Sequence, residues 1–339
     1  MIGGIAVCCN SVFTCLAVQS PLTARAGCGK IARWQAGKFV RTWALGRGMG
    51  ILTGFEHIVR ENESLAPFTW LRLGGAAQFF AEPTSSTELQ GLLRAAHQAG
   101  LSVRILGSGS NLLVRDQVVS GLVLHLAAAA FGKIEVSGRT VMAGGGARLG
   151  HVISSAVREG LAGLEPLVGI PGTVGGALHT NAGSHAGDVG QFVASVTVVS
   201  SRGELATRRR QELRFAYRDS NLDDLILEAT FELEPGDVET LTKRMQQLWI
   251  LKKSTQPLSD QNVGCIFKNP GGISAASLIE EAGLKSARVG DAEVSERCAN
   301  FIVAGRRARS QDVLDLIELI RVGVAERTGA ELETAIEIW

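Results

Sequence analysis

Five segments of the chain space their apolar residues as a helix does. Leu89, Leu92, Leu93 and Ala96 recur at three- and four-residue intervals within 86–100, which places them on one face of a helix. Ser85 or Ser86 suits its N-cap, and Gly100 its C-terminal stop. Val152, Ile153, Ala156 and Val157 repeat the pattern within 148–160. Further helices are predicted over 237–253, 275–282 and 311–327. Short apolar runs between them predict strands at 103–106, 122–126, 133–136, 140–143, 195–200, 225–233, 299–303 and 332–339. An extended run at 67–80, broken at Gly74-Gly75, reads as another. The strand, helix and strand around 86–100 make one β-α-β unit. Elsewhere the elements come in blocks, so the fold class predicted is α+β. Pro235-Gly236 is the clearest punctuation and marks a candidate domain boundary.

One long stretch follows neither period. Residues 163–190, GLEPLVGIPGTVGGALHTNAGSHAGDVG, are dense in glycine and read as neither a helix nor a strand pair. Glycine lets backbone approach a ligand closely and adopt positive φ. Successive N–H groups in such turns form concave anion nests. Pro171 fixes one turn, and Leu164, Leu167, Val168, Ile170, Val174 and Leu178 anchor the loop to a core. A smaller copy lies upstream, where Gly107-Ser108-Gly109-Ser110-Asn111 separates two apolar runs. A Rossmann fingerprint would run from its glycines into a helix. Here the turn feeds Leu112-Leu113-Val114, which is strand-like. Two glycine nests, neither opening a helix, predict a phosphate-bearing cofactor on a different dinucleotide fold.

Composition adds a division of the chain. Of 339 residues, 45% are hydrophobic and 20% charged, enough for a sizeable core, and the net charge of +1 gives no support to nucleic acid as a partner. The first 48 residues differ from the rest: they hold Arg25, Lys30, Arg33, Lys38, Arg41 and Arg47, four of the six cysteines and no acid. Without those six bases the body carries 28 bases against 33 acids, about −5. The apolar run 2–18 lacks the basic start of a secretory signal and is marginal for a membrane span. An organelle transit peptide and translation beginning at Met49 are the other readings of this extension. The body is expected to fold and work without it, and not to insert in a membrane. Cys265 and Cys298 alone make no disulfide framework, so a reducing compartment, the cytoplasm, is expected.

Seven segments carry a resemblance to a known family: LGSGSNLLV (106–114), GLEPLVGIPGTVGGALHTNAG (163–183), FAYRDS (215–220), GCIFKNP (264–270), ASLIEEAGLKS (276–286), ANFIV (299–303) and the terminal ELETAIEIW. Together they resemble the UDP-N-acetylenolpyruvoylglucosamine reductases, in the shorter form without a substrate-covering insertion. The resemblance implies a two-subdomain FAD-binding domain of the vanillyl-alcohol oxidase type at 49–235, and a substrate domain of α+β type at 236–339. It implies non-covalent FAD and NADPH as cofactors, a sugar-nucleotide substrate, and a place in peptidoglycan precursor synthesis. Cofactor contacts are then expected at Gly107, Ser108, Gly109, Ser110, Asn111 and Leu112, with the pyrophosphate. Gly169, Ile170, Pro171, Gly172, Thr173, Gly176 and Asn181 are expected beside the flavin. No metal is expected.

Reduction of an enolpyruvyl ether needs a hydride, a group to hold the carboxylate and enolate, and a proton donor. Arg218 offers a planar fork that stays charged, and the family places a catalytic arginine there. Cys265 stands where many relatives carry the proton-donating serine. An unperturbed thiol, with a pKa near about 8.5, is mostly protonated at neutral pH. Tyr217, Lys268 and Asn269 are expected at the substrate. Two departures from the family pattern stand out. The glutamate expected in the last strand is Ala335, leaving Glu333, Glu337 or an absent acid as alternatives. A histidine usual before the Ala-Asn-Phe run is Cys298. The rival functions are another FAD-dependent oxidase or dehydrogenase of this fold, and a non-catalytic paralogue binding FAD or sugar nucleotide. The oligomeric state is not legible.

Overall fold

The computed structural model describes residues 49–184 and 187–339. The expectations made for residues 1–48 lie outside the described residues. Three cores organise the rest. In the first, a four-stranded sheet runs in the order Val59–Ser64, Ala76–Ala81, Val119–His125, Val103–Leu106. Ala76–Ala81 and Val103–Leu106 both run parallel to Val119–His125 between them, so the β-α-β unit exists with a third strand inserted. Helix α1, Ser86–Gln98, begins where the Ser85 side chain accepts from the Glu88 N–H. It packs Leu89, Leu92, Leu93 and Ala96 against Phe79, Leu122 and Leu124. Phe80 and Val123, of opposite parity, fill the other face of the sheet with Leu65, Leu106 and Val114, as strand alternation requires.

The second core lies under an antiparallel sheet ordered Leu205–Arg209, Val193–Val199, Leu225–Glu232, Thr140–Gly144, Ile134–Ser137. Helix α2, Leu149–Arg158, and helix α3, Val174–His179, close it. Helix α4, Val238–Thr255, follows and packs on α2 and on the turn at Glu165–Leu167. The third core joins α5, Ala275–Glu281, and α6, Ser310–Thr328, to an antiparallel sheet ordered Asn262–Cys265, Phe301–Ala304, Ala292–Val294, Arg288–Val289.

Three sequence expectations need correction. Residues 67–80 are not one strand: a 3-10 turn at Ala66–Phe68 comes first, and the strand begins at Ala76. An added Cβ on Gly75 would lie 2.4 Å from the Gln117 carbonyl oxygen, and this close crossing interrupts the extended run. Second, the long loop does contain a helix, and the second glycine turn opens it. Thr173 accepts from the Gly176 N–H as N-cap, and α3 buries Val174, Ala177 and Leu178. Its glycines obscured that spacing. Two short strands, Gly183–Ser184 and Gly187–Asp188, also pair within the loop. Third, the terminal strand is confined to Glu337–Ile338, with one bridge at Thr334. Among the described residues no helix is long and apolar enough to cross a membrane.

The C-terminal segment joins the cores. Glu337 and Ile338 pair in parallel with Leu112 and Leu113 of the first. Upstream, the Ala335 N–H donates to the Ile266 carbonyl and the Lys268 N–H to the Glu333 carbonyl in the third. One extended segment thus fixes the first glycine turn beside GCIFKNP.

Candidate active site

The first glycine turn, 107–111, connects two strand ends. An added Cβ on Gly109 (φ +65°) would lie 2.2 Å from the Phe68 carbonyl oxygen, and one on Gly107 would lie 2.8 Å from Thr173 Oγ1. The packing therefore demands glycine at both. Among the described residues, none of the five N–H groups of 107–111 donates a hydrogen bond within the chain. The second turn faces it: Ser110 Oγ donates to the Pro171 carbonyl at 3.3 Å. Gly172 (φ +133°) lies close to the Ser110 and Ser108 hydroxyls. The two strips of backbone thus share one seam: the first carries the unspent donors, while in the second the Ile170 N–H is already on the Leu167 carbonyl and Trp249 and the Lys252 stem lie against Gly169. This suits a dinucleotide pyrophosphate and passes the test for FAD.

Asn181 is different. It is buried; its Nδ2 donates to the Ala216 carbonyl and its Oδ1 accepts from the Gly190 N–H. The side chain expected at the cofactor is used as a brace, tying the loop to FAYRDS. That motif is a hairpin: Phe215 pairs with Ser220 and Ala216 with Asp219, leaving Tyr217 and Arg218 at the tip. Arg218 has φ +57°, a conformation that costs a non-glycine residue about 1–2 kcal/mol. Such strain is retained where the surroundings over-determine it. The guanidinium makes one long contact, Nη2 to the Gly183 carbonyl at 3.5 Å. It has no carboxylate partner among the described residues.

Arg218 lines a cleft of about 370 Å3 with His179, Lys268, Glu333, Ala335 and Glu337. Tyr217 spans from the hairpin to the third core, its hydroxyl accepting from the Asn269 N–H at 3.1 Å. Asn269 Oδ1 accepts from the Ala275 N–H, which secures the approach to α5. Lys268 Nζ is held by Glu333 at 2.6 Å. The sequence therefore brings Arg218, Tyr217, Lys268 and Asn269 together, with Lys268 and Asn269 already partnered.

Cys265 ends the strand Asn262–Cys265 and pairs with Phe301. Gly264 before it has φ +80°, and an added Cβ there would lie 3.9 Å from the Ser110 carbonyl, so the backbone leading to Cys265 passes the first glycine turn. Buried Asn262 and Asn300 shape this segment: Asn262 Oδ1 accepts from the Gly264 N–H, and the Asn300 amide exchanges two hydrogen bonds with Phe267. The second asparagine explains the Ala-Asn-Phe motif. Burial pushes the Cys265 thiol up to about 11; Cys298 nearby adds to the rise, and the Arg218 charge opposes it. Cys265 is thus a neutral S–H within electrostatic reach of Arg218.

Ala335 offers the cleft only a methyl. Its carbonyl accepts from Asn111 Nδ2 and its N–H donates to Ile266. Buried Leu332 and Ile336 fix the register on either side. Glu333 is spent on Lys268, while Glu337 is exposed at the cleft edge. Sequence reading missed Lys252, whose Nζ donates to the Val168 carbonyl at 2.6 Å beside the second turn. In the sequence it passes for one of two basic residues that suit a helix C-terminus.

Known proteins agree with this arrangement. A family model described as an FAD binding domain matches residues 77–208, and one for the UDP-N-acetylenolpyruvoylglucosamine reductase C-terminal domain matches 256–339. A reductase of that name from Rhodopirellula baltica is 39% identical over 284 residues, covering 84% of this chain and 93% of its own. The UDP-N-acetylenolpyruvoylglucosamine reductase 2 of Symbiobacterium thermophilum is 45% identical, covering 83% of this chain and 92% of its own. The crystal structure of UDP-N-acetylenolpyruvylglucosamine reductase from Thermus caldophilus superposes with a TM-score of 0.73 at 36% identity, over 83% of this chain and 99% of that one. On these grounds, and with the two glycine turns, the Arg218 hairpin and the GCIFKNP segment gathered as described, the chain belongs to the UDP-N-acetylenolpyruvoylglucosamine reductase family.

Proposed function

We propose that this chain reduces the enolpyruvyl group of UDP-N-acetylenolpyruvoylglucosamine to give UDP-N-acetylmuramate, using FAD and NADPH, in peptidoglycan precursor synthesis. FAD, when bound, would supply the redox chemistry, the transfer of a hydride from NADPH to the terminal carbon of the enolpyruvyl group. The N–H groups of 107–111 and the backbone of 169–173 would hold the pyrophosphate and the flavin side of that cofactor. Arg218 receives the substrate carboxylate and stabilises the enolate that hydride addition creates. The Cys265 S–H then gives its proton to the carbon bearing the carboxylate. Tyr217 positions the Arg218 tip against the third core, and Lys268 meets the sugar nucleotide once Glu333 yields it. With Ala335 in the terminal segment, no carboxylate assists from that position, and Cys265 carries the proton step.

The observation that carries this reading is an unpaired guanidinium and a protonated thiol within electrostatic reach of each other beside two glycine cradles, in a chain of this family. Residues 49–235 are read as the FAD half and 236–339 as the substrate half, a division supported by the spans of the two family models. A reducing cytoplasm suits a working thiol. The test is NADPH consumption by the purified protein. It should depend on the enolpyruvyl sugar nucleotide and give a product two mass units heavier. NADPH consumption that proceeds equally without substrate, with oxygen as acceptor, would instead assign an oxidase.

A further inference from the structure

Several cations of the cleft and of helix α4 are neutralised, and others are not. Lys268 is neutralised by Glu333 at 2.6 Å, Arg244 by buried Glu165 at 2.8 Å, and Lys243 by Glu239 at 2.6 Å. Lys252 and Arg218 have no carboxylate partner among the described residues. They are neighbours through a short chain of contacts. Arg218 Nη2 reaches the Gly183 carbonyl, Ser184 Oγ donates to the Pro166 carbonyl, and Lys252 Nζ donates to the carbonyl of Val168, two residues on. Helix α4 holds Lys252 in place. Trp249, one turn earlier on the same face, lies against Gly169 (φ +79°) together with the lysine stem, each 3.1 Å from where a Cβ would stand. Lys252 is half-buried. Burial, and then the Arg218 charge, hold its ammonium below the usual lysine range. Keeping two like charges close and partly desolvated is unfavourable unless an anion joins them.

Building on the function proposed above, we infer that Lys252 and Arg218 form a two-cation site at the second glycine turn, which binds a delocalised anion at the reaction centre. Lys252 uses one donor on Val168 and keeps two for the ligand. The anion has two sources, the flavin when it becomes reduced and the carboxylate of the enolpyruvyl substrate, and both carry a delocalised charge between oxygen or nitrogen atoms.

The experiment uses the full-length, FAD-loaded protein with Lys252→Gln and Lys252→Arg. Glutamine keeps a donor for the Val168 carbonyl and removes only the charge, so folding and flavin content, read from the absorbance ratio, should persist. Two quantities are then measured: the flavin midpoint potential by dye equilibration, and the Kd of the enolpyruvyl sugar nucleotide from its perturbation of the oxidised flavin spectrum. A charge-assisted hydrogen bond is worth enough to move either equilibrium about tenfold. If the flavin is the anion, Lys252→Gln lowers the potential by about 30 mV, the tenfold equivalent for a two-electron couple. If the carboxylate is the anion, Kd weakens about tenfold and the potential stays. In both cases Lys252→Arg restores the wild-type value, which a loss of packing would not predict. Less than a twofold change in both quantities, in a flavin-loaded Lys252→Gln protein, overturns the inference. So does failure of arginine to restore the quantity that moved. A wild-type protein that holds flavin but ignores the sugar nucleotide refutes the proposed function instead, and the potential still tests the flavin arm.

Discussion

At Cys265 the environment sets the chemistry more than the residue type does. Half-buried and within electrostatic reach of Arg218, the thiol keeps its proton at neutral pH yet remains far more acidic than an aliphatic hydroxyl. A positioned general acid is worth about 10²–10⁴-fold. With Ala335 supplying no second acid, Cys265→Ala should fall in the upper part of that range. The loss should appear in flavin reoxidation by substrate and spare flavin reduction by NADPH; Cys265→Ser should recover part of it. Rapid-mixing absorbance with the two half-reactions separated reads this directly, and slowed reduction with intact reoxidation would remove Cys265 from its role. The pH dependence follows from the same burial. A thiol raised from 9.0 to about 11 binds its proton more tightly folded than unfolded. Its contribution to stability is therefore complete below about pH 9 and is lost as the pH rises toward 11. Chemical denaturation at pH 8, 9.5 and 10.5 should show stability declining over that window, with the decline reduced in Cys265→Ala. Reoxidation should likewise keep its rate through pH 9.5. A fall centred near 8.5 would indicate an ordinary, exposed thiol.

The turns and hairpin convert glycine and asparagine into geometry, and they separate what was legible from what was not. Helices with clean spacing, such as α1 and α2, were readable because a three- to four-residue apolar repeat survives any tertiary context. Helix α3 was not, since Gly175 and Gly176 stand among its few residues and the propensity cost of glycine is offset by burial of Val174, Ala177 and Leu178. The first strand, Val59–Ser64, escaped because its burial pattern leaves one residue buried and most exposed. The contents of the site were legible as motifs, but the partners were not. Nothing in sequence order brings Lys252 to Val168, or Asn181 to Ala216. Two glycines with the same φ of +65° give a direct test. Gly100→Ala, with no atom within 4 Å of the added Cβ, should cost only the conformational term of about 1–2 kcal/mol and keep the flavin. Gly109→Ala meets the Phe68 carbonyl and should lose flavin, as absorbance after gel filtration would show. Equal flavin content in both would contradict the cradle. Asn300→Ala, which strands buried backbone groups of Phe267, should destabilise by about 1–3 kcal/mol in a urea titration.

Across the whole molecule, the terminal segment couples the first glycine turn to the GCIFKNP segment. Its hydrogen bonds reach Asn111, Leu113 and Arg115 in one direction and Ile266 and Lys268 in the other. Deleting residues 337–339 removes the pairing of Glu337 and Ile338 with Leu112 and Leu113, including the bonds from Glu337 N–H to Asn111 and from Trp339 N–H to Leu113, and also the bond from Arg115 N–H to Trp339. The expected cost is on the order of 3 kcal/mol. Thermal unfolding should shift down, and flavin should be lost before the remaining secondary structure. Simultaneous loss of both at an unchanged temperature would mean the segment does not couple them. The central claim, that these parts together reduce an enolpyruvyl sugar nucleotide, is tested most directly by anaerobic flavin absorbance of the purified protein. NADPH should bleach the flavin band, and UDP-N-acetylenolpyruvoylglucosamine added next should restore it with one equivalent of UDP-N-acetylmuramate formed. A bleached flavin that this substrate leaves unchanged, and that only oxygen restores, would contradict the account.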